Sequence, residues 1–168
     1  MKGMLLVLLF FNFALPDLNA CREMLDHAVE DKALALKFYK RLKVVDDRAQ
    51  PVMVGFRAMS EFLMCKHLLN PFSRLSHFNK GKSLLESAIK EDGGNVELLF
   101  FRLCTQSNVP ALLNYNSNIE GDKQALINYL LKYNQKVQPD PVLYKRIKTY
   151  LLMNKYCSTA EKAQIKTL

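Results

Sequence analysis

The chain has 168 residues, 49% of them hydrophobic and 24% charged, with a formal net charge of +8. That length favours one domain able to build a core without disulfide staples, and six glycines with six prolines leave little room for a loop-rich or all-β fold. The positive charge suits phosphate-bearing partners such as nucleic acid, anionic lipid or lipopolysaccharide, or simply a solvated surface, and no long block of like charge forms a basic tail.

The first element has the order of a secretory signal peptide. Lys2 supplies the positive start. Met4 to Leu15 is apolar apart from Asn12, Pro16 breaks any helix, and Asp17-Leu18-Asn19-Ala20 is a polar stretch with a small end. The apolar run has twelve residues, whereas a membrane span needs about 18 or more. A buried first helix is the competing reading, but such a helix should show a polar face and this run shows none. The expected division is therefore a signal peptide over 1–20 and one domain over 21–168. Removing 1–20 deletes Lys2 and Asp17 together, so the charge stays at +8. Cleavage after Ala20 would leave Cys21 first, just before the opening helix. Alternatively, Leu18-Asn19-Ala20-Cys21 resembles a bacterial lipobox, in which the Cys21 thiol becomes thioether-linked to diacylglycerol and anchors the protein to a membrane. Cys21 as an ordinary cysteine is the third reading.

The remainder of the chain reads as helices with short joints. Leu25, Ala28, Val29, Leu34, Phe38 and Leu42 form stripes over 22–44, in one helix or two short ones. Asp46 to Pro51 is a polar joint. A helix over 52–69 places Val54, Ala58, Phe62 and Leu63 on one face. Asn70-Pro71 restarts the chain, because Asn accepts a first-turn N–H and Pro at the first helical position has none to waste. Leu84, Leu85, Ala88 and Ile89 line the helix over 71–90, and Asp92-Gly93-Gly94-Asn95 ends it with glycine in left-handed geometry. Val96 to Cys104 is apolar enough for a buried strand, but Asn95 as a cap and Glu97 in the first turn favour a central helix. Pro110 to Asn114 is a short element. Helices over 122–133 and from Asp140-Pro141 come next, and Ser158-Thr159-Ala160-Glu161 fits a capping box. The predicted core includes Leu84, Leu85, Ala88, Phe100, Phe101 and Leu103.

Four cysteines, Cys21, Cys65, Cys104 and Cys157, permit three disulfide connectivities in an exported chain. Cys65 and Cys104 sit in apolar helical stretches where a thiol behaves as a small hydrophobe. Cys157 fits either state. Cys65 and His67 lack the further ligands that zinc needs, so no metal and no cofactor is expected. The stretch from Lys66 to Lys82 has no acidic residue. Lys66, Arg74, Lys80 and Lys82, interleaved with Phe72 and Phe78, are a candidate anionic patch for lipid headgroup, polysaccharide or nucleic acid. Inward aromatics with solvated cations are the alternative, and export argues against nucleic acid as a partner. No phosphate loop or nucleophile elbow occurs.

Gly81, Leu85 and Ala88, followed by Gly93, Asn95 and Glu97, resemble part of a tetratricopeptide (TPR) repeat, with Gly93 where that repeat usually has Pro. More broadly, the segments Met64 to Ile89, Asn95 to Leu103, Gln106 to Tyr115, Gly121 to Leu131 and Tyr156 to Lys162 resemble a family of uncharacterised exported bacterial proteins with TPR-like helices. The resemblance implies an all-α, TPR-like stack of antiparallel helical hairpins. By fold analogy the expected function is a non-catalytic protein- or peptide-binding module of the cell envelope. The alternatives are an envelope enzyme with a scattered site, and a surface- or lipid-associated protein using segment 66–82.

Overall fold

A computed structural model describes residues 17–133 and 140–168. The described chain is all α: α1 (Leu18–Ala28), α2 (Lys32–Leu42), α3 (Pro51–His67), α4 (Pro71–Glu91), α5 (Val96–Asn108), a 3-10 turn (Ala111–Leu113), α6 (Ile119–Tyr133), α7 (Pro141–Met153) and α8 (Thr159–Lys166). Short polar side chains set most of the starts. Asn70 accepts from Phe72 N and Ser73 N ahead of Pro71, Asn95 accepts from Glu97 N and Leu98 N, and Asp140 accepts from Leu143 N. Each satisfies backbone donors that the first helical turn leaves open. The capping box at Ser158 and Glu161 forms as expected.

Several boundaries differ from the sequence reading. The stripe over 22–44 is two helices, broken at residues 29–31, and Val29 and Leu34 fall on the outside. Residues 1–16, most of the expected signal peptide, lie outside the described residues. Cys21 does not precede the first helix. Asp17 caps α1 by accepting from Ala20 N at 2.9 Å, so the helix opens at Leu18 and Cys21 lies inside it. Neither Gly93 nor Gly94 is left-handed; among the described residues Asn114 alone has positive φ, at 45°. Asn tolerates that region because its side chain can bond locally.

α3 and α4 pack antiparallel. Phe62 meets Phe78 with ring centroids 5.9 Å apart, and Arg74 Nε donates to Cys65 O at 3.1 Å. Gly81 permits this approach: a Cβ there would stand 3.0 Å from Phe62 Cε1 and 3.1 Å from Ala58 O. α5 lies beside α3 in the same sense, with Gly55 against Leu98 and Phe101, and Thr105 Oγ1 against Met59 Sδ at 3.8 Å. α7 continues the row. Phe100 meets Tyr150 at 5.4 Å, and Asn154 Nδ2 donates to Ser107 Oγ at 3.1 Å. α6 returns antiparallel to α5, since Asp122 pairs with Arg102 while Asn118 bonds Gln106 one turn further along α5. The odd-numbered helices thus run alike and α4 and α6 return between them. All six predicted core residues are buried, and Phe38, Phe56, Phe101, Leu85 and Leu103 are sealed from water. Each such side chain contributes roughly 1.5–3 kcal/mol of burial.

Candidate functional site

A cleft of about 680 Å³ lies between α1 and α7. α1 contributes Asn19, Arg22, Glu23, Asp26 and His27, and α7 contributes Pro141, Val142, Lys145 and Arg146. Two ion pairs tie the walls. Arg22 Nη2 lies 2.8 Å from Asp140 Oδ2, and Arg146 Nη2 lies 2.6 Å from Asp26 Oδ1. The pairs advance together along both helices, so α1 runs in the same sense as α7.

Behind the lining residues Arg22 and Arg146 lies the buried carboxylate of Glu97, from the first turn of α5. Arg22 grips it with two parallel bonds, Nε to Oε1 at 2.8 Å and Nη2 to Oε2 at 2.7 Å, and Arg22 Nη1 reaches Asn19 Oδ1 at 2.8 Å. Arg146 Nη1 stands 3.9 Å from Glu97 Oε1, is shut off from water, and has no hydrogen-bond partner among the described residues. Burial works against the Arg22 charge, but Glu97 and then Asp140 outweigh it and raise the guanidinium further. Burial likewise opposes the Asp140 charge, yet the Leu143 N–H and Arg22 bring its carboxyl below the ordinary value.

The cleft therefore has a cross-linked, charge-balanced base under an accessible rim. Glu23 and the Arg146-paired Asp26 stand on the α1 side, and Lys145 and the 45% exposed Val142 on the α7 side. The lining offers no thiol or hydroxyl nucleophile.

The four cations of the expected anionic patch are not brought onto one surface. Lys66 Nζ donates to Val29 O and Glu30 Oε1, both at 2.7 Å. Arg74 is turned to Cys65 O. Lys82 Nζ sits 4.9 Å over the Tyr115 ring, and Tyr115 Oη in turn donates to Glu86 Oε1 at 2.6 Å. Lys80 is exposed. On α4, positions 80 and 82 are about 200° apart around the axis, which sends their side chains to opposite faces. A run close in sequence is thus dispersed by the helical twist.

Cys21 is fully buried and its thiol is pushed up to about 11, chiefly by that burial. Burial also pushes the Cys104 thiol up to about 12, and no disulfide joins the four cysteines. His67 Nε2 lies 3.3 Å from Ala28 O, and among the described residues no group of three metal-binding side chains converges. No described helix is long and apolar enough to cross a membrane.

The sequence offered Asn19 as part of a lipobox and Glu97 and Asp140-Pro141 as helix-start signals, and gave no sign that they meet Arg22, Asp26, Val142, Lys145 and Arg146. Comparison with family models, with curated proteins and with solved structures gives no match.

Proposed function

We propose that this is a non-catalytic helical module that binds a peptide or a protein segment in the cleft between α1 and α7. The observation that carries this reading is the layout of the cleft. The α1 wall carries Glu23 and the α7 wall carries Pro141, Val142 and Lys145, beside a base in which Arg22 ties Glu97 and Asp140 and Arg146 holds Asp26. An apolar anchor flanked by charges of both signs suits a segment with an apolar side chain between a basic and an acidic one. The parallel odd helices, with α4 and α6 returning between them, support a TPR-like stack. In such a stack the first and last odd helices face each other across the concave side. The fixed base supports binding with little reorganisation cost.

The protein acts, in this proposal, in a bacterial cell envelope after export directed by residues 1–16. The capped first turn of α1 supports a mature chain that keeps Asp17. Buried Cys21 then serves as packing, because attaching diacylglycerol to its thiol would require that turn to unwind. Selection of a displayed random-peptide library on the folded protein tests the binding reading. A shared apolar motif with flanking charges is expected. A Val142→Glu, Lys145→Glu variant should lose the selected peptides while keeping its helical spectrum. Equal retention by the variant would exclude the cleft as the binding site.

A further inference from the structure

Lys32, Lys37, Lys40, Arg41 and Lys43 fall within twelve residues on α2 and its cap, and no acidic residue occurs from 32 to 45. All five are exposed, and among the described residues none is ion-paired; the paired cations are Arg22, Arg57, Lys66, Arg102, Lys123 and Arg146. At about 100° per residue, Lys32, Leu36, Lys40 and Lys43 share one stripe, and Lys37 and Arg41 lie on the next. Ala35, Phe38 and Leu42 are sealed in the core on the other side, which fixes the basic face outward. Leu36 is 39% exposed between the lysines, and Val44, just past the helix, is 68% exposed. Like charges three and four residues apart repel on a helix. A cation in the first turn, as at Lys32, also opposes the helix dipole.

The acids around α2 do not offset this charge. Lys66 neutralises Glu30, and Arg57 neutralises Asp47. Asp31 and Asp46 stand at the two ends, where they accept backbone N–H groups of Ala33 and Leu34 and of Arg48. Against those two carboxylates stand the five cations and Arg48 itself. On α1, Asp17 caps the helix, while Glu23 and Asp26 line the cleft with α7. From α3, Glu61 is buried and paired with His77 of α4, which meets Tyr39 of α2 edge-on.

We infer that the outer face of α2 rests on an anionic phospholipid bilayer, with its cations among the headgroup phosphates. A cluster of this size on one helix is what a negatively charged leaflet attracts. Four of the five cations are lysines, point charges on flexible stems, which suit a fluid plane of phosphates better than a keyed bidentate partner. Their stems can lie along Leu36 and Val44 while those side chains meet the headgroup boundary. Single-stranded nucleic acid would call for exposed aromatics between the cations. Here Phe38 is buried and Tyr39 is turned to His77. The contact lies outside the α1–α7 cleft and stands whether or not that cleft binds peptide.

The whole chain is titrated with vesicles of phosphatidylglycerol and phosphatidylcholine, and of phosphatidylcholine alone. Lys37→Glu with Lys40→Glu reverses two charges on α2. Lys90→Glu with Lys166→Glu makes the same change in net charge at two exposed positions elsewhere. On the anionic vesicles the α2 variant should bind about tenfold more weakly or worse, with an unchanged helical spectrum. The control variant should stay within about twofold of the native chain. The chain contains no tryptophan, so Leu36→Trp reports on the face with every cation in place. Its emission should shift to the blue on the anionic vesicles only. Equal losses in the two double variants would overturn the inference, since overall charge would then suffice. Native binding by the α2 variant would overturn it too, because residues 1–16 or another surface would be the contact. So would a Leu36→Trp emission that stays unchanged on the anionic vesicles, or α2-dependent binding of duplex DNA without binding of vesicles.

Discussion

Arg22 and Glu97 meet in a two-bond, side-on pair at 2.7–2.8 Å with both side chains 4% exposed, joining the first helix to the start of α5. A buried pair of this kind contributes little beyond well-packed apolar residues, but removing one partner strands the other charge. Glu97→Gln or Arg22→Met should therefore cost about 3–5 kcal/mol in urea denaturation, while Arg22→Met with Glu97→Leu should recover much of the loss. Additive losses in the double variant would show that the pair does not act as a unit.

The first turn of α1 belongs to the folded domain. A chain beginning at Cys21 lacks the Asp17 cap and the Asn19 acceptor for Arg22. It should be less stable than one beginning at Asp17 by about 1–2 kcal/mol. Equal denaturation midpoints for the two chains would contradict this placement.

Two glycines should respond in opposite directions to alanine. At Gly81 a methyl would press on Phe62 and on the Ala58 carbonyl of α3. Overpacking outweighs the gain in helix propensity there, for a net loss of about 1 kcal/mol. At Gly121 in α6 nothing lies within 4 Å of the added carbon, and Gly121→Ala should stabilise by about 0.5–1 kcal/mol. Thermal midpoints moving together would refute the close approach of α3 and α4.

Acid should loosen α8. Lys123, then the Ser158 N–H, holds the Glu161 carboxyl below its ordinary 4.5. A carboxyl lowered in the folded state contributes stability that is complete above its unfolded value and is lost as pH falls through the folded one. Urea midpoints should fall as pH drops below about 5, and Glu161→Gln should flatten that decline. Amide exchange in α8 should rise over the same range; an identical acid limb in the variant would exclude Glu161 as a contributor.

The features legible in the sequence were local. Asn70-Pro71, Asp140-Pro141 and the Ser158–Glu161 box work through hydrogen bonds within three residues, so the helix starts could be read directly. The periodic faces at Leu84, Leu85 and Ala88 likewise needed only the pitch of one helix. The cleft was not legible, because Asp26 and Arg146 are 120 positions apart and each alone looks like a solvated charge. The placement of Lys66, Arg74, Lys80 and Lys82 was not legible for the converse reason: nearness along the chain is not nearness on a helix surface. Gly55 carried no signal either, since its role depends on Leu98 and Phe101 of a helix not adjacent in the chain.

Peptide binding in the α1–α7 cleft is tested most directly by amide chemical-shift mapping with a display-selected peptide. Saturable shifts should concentrate at Glu23, Asp26, Val142 and Lys145 and be abolished by Val142→Glu. Shifts centred elsewhere on the fold, or unchanged by that substitution, would contradict the cleft as the binding site.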